Sequence, residues 1–296
     1  NKMTKQFNSR VAIGTAQFGM NYGIANKTGK LSDKEIKRIL NYALLKGINT
    51  IDSAEVYGDC EKRLGKVGVK KFKVITKLPV TNPDKDVSQW VKKSVQASLK
   101  RLNLSKVHAV LVHNTTFLLD KKIGKEIYQT LIDLKKKGII DKIGASVYSL
   151  EELNAIKSKF KIDIVLAPFN VFDQRILKKG YIQSLKNKKI QVYTRSTFLQ
   201  GLLLMSKKNR PKKFDKWKNK FDNWYNKLEK YNKSALQACL NLPLHTSGIY
   251  KTVIGVDNFH HFKEIIKKNK KFKFDYKSLA LNNDKELINP SKWAKL

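Results

Sequence analysis

Eight short apolar runs, each followed by a segment of helical periodicity, limit what this chain can fold into more than any other feature. They are RVAIGT, INTIDSA, FKVITKL, VHAVLVHN, KIGASV, IDIVLAPF, IQVYTRS and KTVIGV. The first intervening helix reads SDKEIKRILNYALLKG, with Ser32 as N-cap and Gly47 as its stop; others are VSQWVKKSVQASLKRLN and KEIYQTLIDLKKKG, ended by Gly138. Such alternation implies parallel strands joined by crossover helices. Eight units in 296 residues fit a closed α/β barrel, the (β/α)8 TIM fold, better than an open doubly wound sheet.

No Pro- or Ser-rich linker divides the chain, so one barrel domain over residues 1–296 is expected, with an extra basic amphipathic segment at about 205–233. In that segment Phe214, Trp217, Phe221, Trp224, Leu228 and Tyr231 recur at helical steps. A stripe of this kind packs on a barrel; a platform for stacked bases would not need the periodicity. The charge bears on the same choice. Lys and Arg number 61 against 24 Asp and Glu, a net +37, which admits nucleic acid, anionic membranes or anionic substrates as partners. The excess is spread along the chain, and the abundance of both Lys and Asn matches compositional drift, so a nucleic-acid partner is the disfavoured reading. No apolar run is long enough to span a bilayer and the first ten residues have no signal-like stretch, so a cytoplasmic protein without a membrane partner is expected. Cys60 and Cys239 stand in no CxxC pair or His cluster, so neither a disulfide framework nor a metal site is expected.

In a barrel, chemistry gathers at the C-terminal strand ends. Three successive runs end in ionisable groups, Asp52, Lys77 and His113, and Tyr57 follows Asp52 in the loop. A carboxylate at the end of a buried strand needs a partner, and Lys77 is the cation for it. A phenol of ordinary pKa near 10 is a poor acid at neutral pH. The ammonium is expected to lower that pKa, Asp52 to keep Lys77 charged, and His113 to polarise a substrate oxygen. The set describes a site that protonates a carbonyl oxygen while hydride arrives at carbon. No side chain delivers hydride, so a nicotinamide cofactor is implied.

The segments GTAQFG, IDSAEVYGDCEKRLG, VITK, SLKRLNL, VLVHN, IGASVYS, RSTFLQGLLL and VIGV, in their order, resemble the aldo-keto reductases from about residue 11 to 266. The resemblance implies a (β/α)8 barrel that reduces aldehydes or ketones with NADPH or NADH, and puts a catalytic tetrad on Asp52, Tyr57, Lys77 and His113. It implies cofactor contacts from Gly14 and Thr15, from Ser146, from Arg195, Ser196, Leu199 and Gly201 after the seventh strand, and from Gly255, Asp257, Asn258, His261 and Glu264 after the eighth. Arg195 stands where many members put an aromatic on the nicotinamide. Leu166 replaces a usual Gln, Ile265 a usual Asn, and His108 a common Asp. Lys or Arg usually meets the 2'-phosphate of NADPH where Gly255, Asp257 and His261 stand here; Lys263 and Lys267 lie near, so the phosphate preference is open. Gln17, Tyr22, Phe169 and Phe198 are expected to line the substrate pocket. The loop after strand seven resembles that of sugar-handling members, so the substrate expected is a small carbonyl compound, a sugar, a sugar derivative or a nucleotide sugar, in carbohydrate metabolism. The alternative is a catalytically silent barrel that senses nicotinamide or binds nucleic acid through its basic surface.

Overall fold

The structure, a computed structural model, describes residues 7–267 and 270–296. Its strands are β1 (Val11–Gly14), β2 (Thr50–Asp52), β3 (Lys73–Lys77), β4 (Val107–Val112), β5 (Ile140–Ser146), β6 (Ile164–Pro168), β7 (Gln191–Arg195) and β8 (Ile249–Gly255). Each falls within or overlaps one of the eight apolar runs. They pair in parallel in chain order, and β8 returns to β1 through Ile13 with Ile254 and Gly14 with Gly255, closing the barrel.

Side chains alternate across each strand, and this decides which residues reach the mouth. On β4, Val110 and Val112 pack outward into the layer shared with the helices, whereas Ala109 and Leu111 point inward. The inner cluster is completed by Ala12, Ile75, Ile164, Leu166, Tyr193 and Val253. Two residues further along the same inward rows stand Gly14, Lys77, His113, Arg195 and Gly255. The mouth is therefore the next layer of the barrel filling, written in polar residues and glycine in place of aliphatic ones. Leu166 is spent on the inner cluster, beside Ser146 in register.

The helices start where the sequence has acceptors for free amides. Ser32 accepts from Glu35 N ahead of Asp33–Leu45, Asp86 from Gln89 N ahead of Val87–Leu102, and Ser149 from Glu152 N ahead of Leu150–Lys159. The basic segment is α-helical only over Lys218–Lys230; before it run two 3-10 turns, Lys207–Asn209 and Lys212–Trp217, broken at Pro211, which lacks an amide hydrogen. Phe214, Trp217, Phe221 and Trp224 are buried. Trp217 Nε1 donates to Asp284 at 2.6 Å, Trp224 Nε1 to Leu203 O at 3.1 Å, and Phe214 meets Trp293 edge to face. This stripe holds the segment against the barrel and the C-terminal residues. Both cysteines are buried and unlinked. Among the described residues no helix is long and apolar enough to cross a membrane, and no group of three His, Cys, Asp or Glu is disposed to hold a metal ion.

Candidate active site

Lys77 Nζ, almost fully buried, lies 2.9 Å from both Asp52 carboxylate oxygens, 2.8 Å from Ser53 O and 3.4 Å from Tyr57 Oη. An ammonium has three N–H bonds, and a carboxylate, a carbonyl and a phenol oxygen take them all. Tyr57 Oη accepts from Lys77, so its own proton is left for another acceptor. Tyr57 sits on a turn that only glycine allows: Gly58 has φ +60°, and a Cβ there would strike Gly19 O.

The phenol departs from the sequence expectation. Burial first, then the charge of Asp52, hold its pKa well above 10. Desolvation outweighs any pull from the ammonium, whose charge Asp52 largely neutralises. Tyr57 thus carries its proton at neutral pH. Burial, then Lys77 and Arg195, push His113 down to about 3, so its ring is neutral. His113 Nδ1 is sealed off without a hydrogen-bond partner. A buried N–H without an acceptor is rarely tolerated, so the hydrogen belongs on Nε2. His113 meets the Tyr57 ring edge to face at 6.4 Å.

Both open on a cavity of about 480 Å³ at the barrel mouth. Of the expected residues, Gly14, Thr15, Gln17 and Tyr22 line it from the β1 side, Asp52, Tyr57 and His113 from the β2 to β4 ends, and Ser146 and Arg195 from β5 and β7. Ser196, Phe198 and Gly201 line it from the loop after β7, and Gly255, Asp257 and His261 from β8 onward. Lys77 stands behind Asp52 and Tyr57. Asp257 Oδ1 accepts from Gln17 Nε2 at 3.5 Å, and its other oxygen is 3.9 Å from His261 Nδ1.

Several expected residues lie elsewhere. Phe169 is fully buried outside the cavity lining; Leu166 and Pro168 take the inward parity of β6, so Phe169 turns to the helix layer. Leu199 is also fully buried and lies outside the cavity lining. The Asn258 side chain caps the helix Phe259–Ile266, accepting from His261 N at 2.8 Å. Glu264 points outward, 3.9 Å from His260. His108 lies at the opposite end of β4, 3.7 Å from Asp141, away from the mouth. Sequence reading missed Tyr148, Thr197 and Gln200, all of which line the cavity. Parity gave a signal for Tyr148, two residues beyond inward-facing Ser146.

The loop after β7 is unusual. Ser196, Leu199 and Gln200 have φ of +63°, +49° and +54°, a region that non-glycine residues seldom occupy, and such strain gathers at ligand sites. Thr197 Oγ1 is buried without a partner. The amides of Thr197, Phe198 and Gln200 donate to no acceptor among the described residues. Consecutive left-handed turns with free amides make a concavity suited to an anion such as a pyrophosphate. A Cβ on Gly255 would lie 2.6 Å from Gln17 Nε2, so a larger residue there would displace the Gln17 side chain. These features fit a nicotinamide dinucleotide.

Fold and site together define a (β/α)8 barrel with an acid-bearing tyrosine, a buried Lys–Asp pair and a neutral histidine at its mouth. The aldo/keto reductase family profile matches residues 10–285, and the chain belongs to that family. It is 26% identical to aldo-keto reductase YhdN of Bacillus subtilis over 208 residues, which span 66% of this chain and 60% of that protein. Among solved structures, aldo-keto reductase AKR11C1 from Bacillus halodurans (holo form) has a TM-score of 0.73 at 18% identity, covering 92% of each chain. Glycerol dehydrogenase AKR11B4 from Gluconobacter oxydans has a TM-score of 0.69 at 22% identity, covering 95% of this chain and 92% of that one. Both share the barrel fold.

Proposed function

We propose that this chain reduces an aldehyde or ketone of a sugar or sugar-derived compound with a nicotinamide cofactor, reversibly. The observation that carries the reading is the exhaustion of Lys77: with its three N–H bonds spent on Asp52, Ser53 and Tyr57, the group left to give a proton is the phenol. The cofactor supplies hydride when bound. Ser146, the loop from Ser196 to Gly201, and Gly14, Thr15 and Gly255 are the residues that would hold it. His113 Nε2–H donates to the carbonyl oxygen and orients it, and Tyr57 gives its proton to the same oxygen as negative charge develops there. Lys77 and Asp52 fix the phenol in place. In the reverse direction Tyr57 takes the proton back, which its raised pKa makes easy only once the phenol is ionised.

Asp257 and His261 are the ionisable lining residues after β8, with no Lys or Arg among the lining there. A carboxylate accepts from a ribose hydroxyl and repels a phosphate, which favours NADH over NADPH. The relative named as a glycerol dehydrogenase agrees with a polyhydroxy substrate. The alternative, a silent barrel that senses nicotinamide or binds nucleic acid through its basic surface, is not favoured, because a binding module has no physical need for Tyr57 beside Lys77.

The test is absorbance at the reduced-nicotinamide band with NADH and NADPH in turn, over aldoses and simple aldehydes, for wild type and Tyr57→Phe. Oxidation that disappears in the variant supports the reading. Cofactor binding without turnover supports the silent barrel, and loss of both sinks the cofactor site.

A further inference from the structure

Of the described lysines and arginines, Arg195 alone lines the cavity. Its guanidinium lies over the Tyr148 ring, 4.5 Å from the centroid. Nη2 donates to Val147 O at 3.1 Å and Nη1 to Ser196 Oγ at 3.3 Å. All three partners are neutral. Arg63 pairs with Asp33, Arg101 with Glu61, Arg175 with Asp173 and, at 3.8 Å, Arg210 with Asp215; Arg10 is spent on the carbonyls of Leu244, Thr246 and Ile249, and Arg38 stacks on Phe259 outside the cavity lining. Arg195 has no carboxylate partner among the described residues. The two aspartates lining the cavity are engaged elsewhere, Asp52 by Lys77 and Asp257 by Gln17 and His261.

A half-buried cation with neutral partners keeps its charge and much of its desolvation cost, and a guanidinium presents its remaining N–H bonds as a flat fork. The charge is close to the chemistry, since Arg195 acts electrostatically on Tyr22, Tyr57 and His113. The nicotinamide ring is itself cationic when oxidised, so stacking a bare guanidinium on it is opposed by Coulomb repulsion. An oxyanion meets both conditions: it neutralises the cation and matches its fork.

We infer that Arg195 selects the substrate, a carbonyl compound bearing a carboxylate or phosphate that the guanidinium grips while Tyr57 and His113 meet the carbonyl oxygen. Tyr148 holds the guanidinium plane from beneath. This rests on the reductase reading above. It differs from attraction by the general +37 field in depending on one residue.

The experiment uses matched aldehydes: butanal against succinic semialdehyde for the carboxylate, and glyceraldehyde against glyceraldehyde 3-phosphate for the phosphate. Wild type, Arg195→Met and Arg195→Lys are compared by kcat/KM with the cofactor that wild type oxidises. In one pair, wild type prefers the anionic member by about tenfold or more, chiefly through KM; Arg195→Met shrinks that ratio to about twofold or less, and Arg195→Lys restores part of it. The responding pair identifies the oxyanion. Equal kcat/KM within both pairs in wild type overturns the inference. So does a variant that loses both members of a pair equally while cofactor KM rises, which assigns Arg195 to the cofactor. Silence on all four aldehydes counts against the reductase reading. Calorimetric titration with succinate and with inorganic phosphate then decides Arg195 separately: binding by wild type that Arg195→Met loses upholds the oxyanion site, and no binding by wild type overturns it.

Discussion

Thr76 and Lys77 are neighbours on β3, yet they anchor two ion pairs of opposite character. Thr76 faces the helices, where its hydroxyl donates to Glu61, itself paired with Arg101 at 2.7 Å. Arg101 also reaches Ser98, and the network closes on itself. Lys77 faces the barrel interior, pairs with Asp52 at 2.9 Å, and passes its last N–H to Tyr57, which opens on the cavity. Strand parity alone separates a network that ends in structure from one that ends in a phenol open to the cavity. A buried salt bridge is therefore no sign of function until its last hydrogen bond has been followed.

Tyr57→Phe tests that contrast most sharply. Removing the proton donor should cut kcat by about 10²–10⁴-fold with little change in thermal midpoint, read by cofactor absorbance and circular dichroism. Equal activity would break the link between the inner pair and the chemistry. Lys77→Met strands a buried carboxylate and should cost about 3–5 kcal/mol in urea unfolding, with activity abolished. Adding Asp52→Asn to that variant should recover most of the stability and none of the turnover; recovered turnover would mean that the pair only holds the fold. On the outer face, Glu61→Gln should cost about 1–2 kcal/mol, because Arg101 is exposed enough to turn to water, and leave kcat of the folded enzyme unchanged within about twofold.

The pH responses are smaller. With the phenol held above its ordinary range, carbonyl reduction should stay level through neutral pH and weaken only as pH rises beyond about 10, while alcohol oxidation keeps rising with pH; stopped-flow profiles in both directions would reveal it. The two ends of β4 give the last comparison. Burial is the first cause in both His113, at about 3, and His108, at about 4. Both values lie below the ordinary 6.5, so over that interval the unfolded chain takes up protons that the folded chain refuses. Stability is full above 6.5 and is lost as pH falls. His113→Gln should make that acid limb shallower in urea titrations, and an unchanged limb would argue against a neutral, buried His113.

Much of this was legible beforehand. The eight strands follow from local periodicity, and Asp52, Lys77 and His113 follow from where apolar runs meet ionisable residues. Parity, counted onward from Leu166 and Ser146, would also have turned Phe169 away and brought Tyr148 in. The aromatic stripe of the basic segment told which face packs, but Pro211 shortened the helix. Asn258 has an amide oxygen that serves equally as helix cap and as ligand, and the backbone amide of His261 in front of it takes the cap.

The sequence by itself determined the barrel, its strand order and the residue types at its mouth, because alternation and helical period are properties of neighbouring residues. Tertiary structure decided the direction of the Tyr57 pKa, the tautomer of His113 and the isolation of Arg195. Those depend on desolvation and on partners supplied from distant parts of the chain, and neither quantity exists until the barrel has closed.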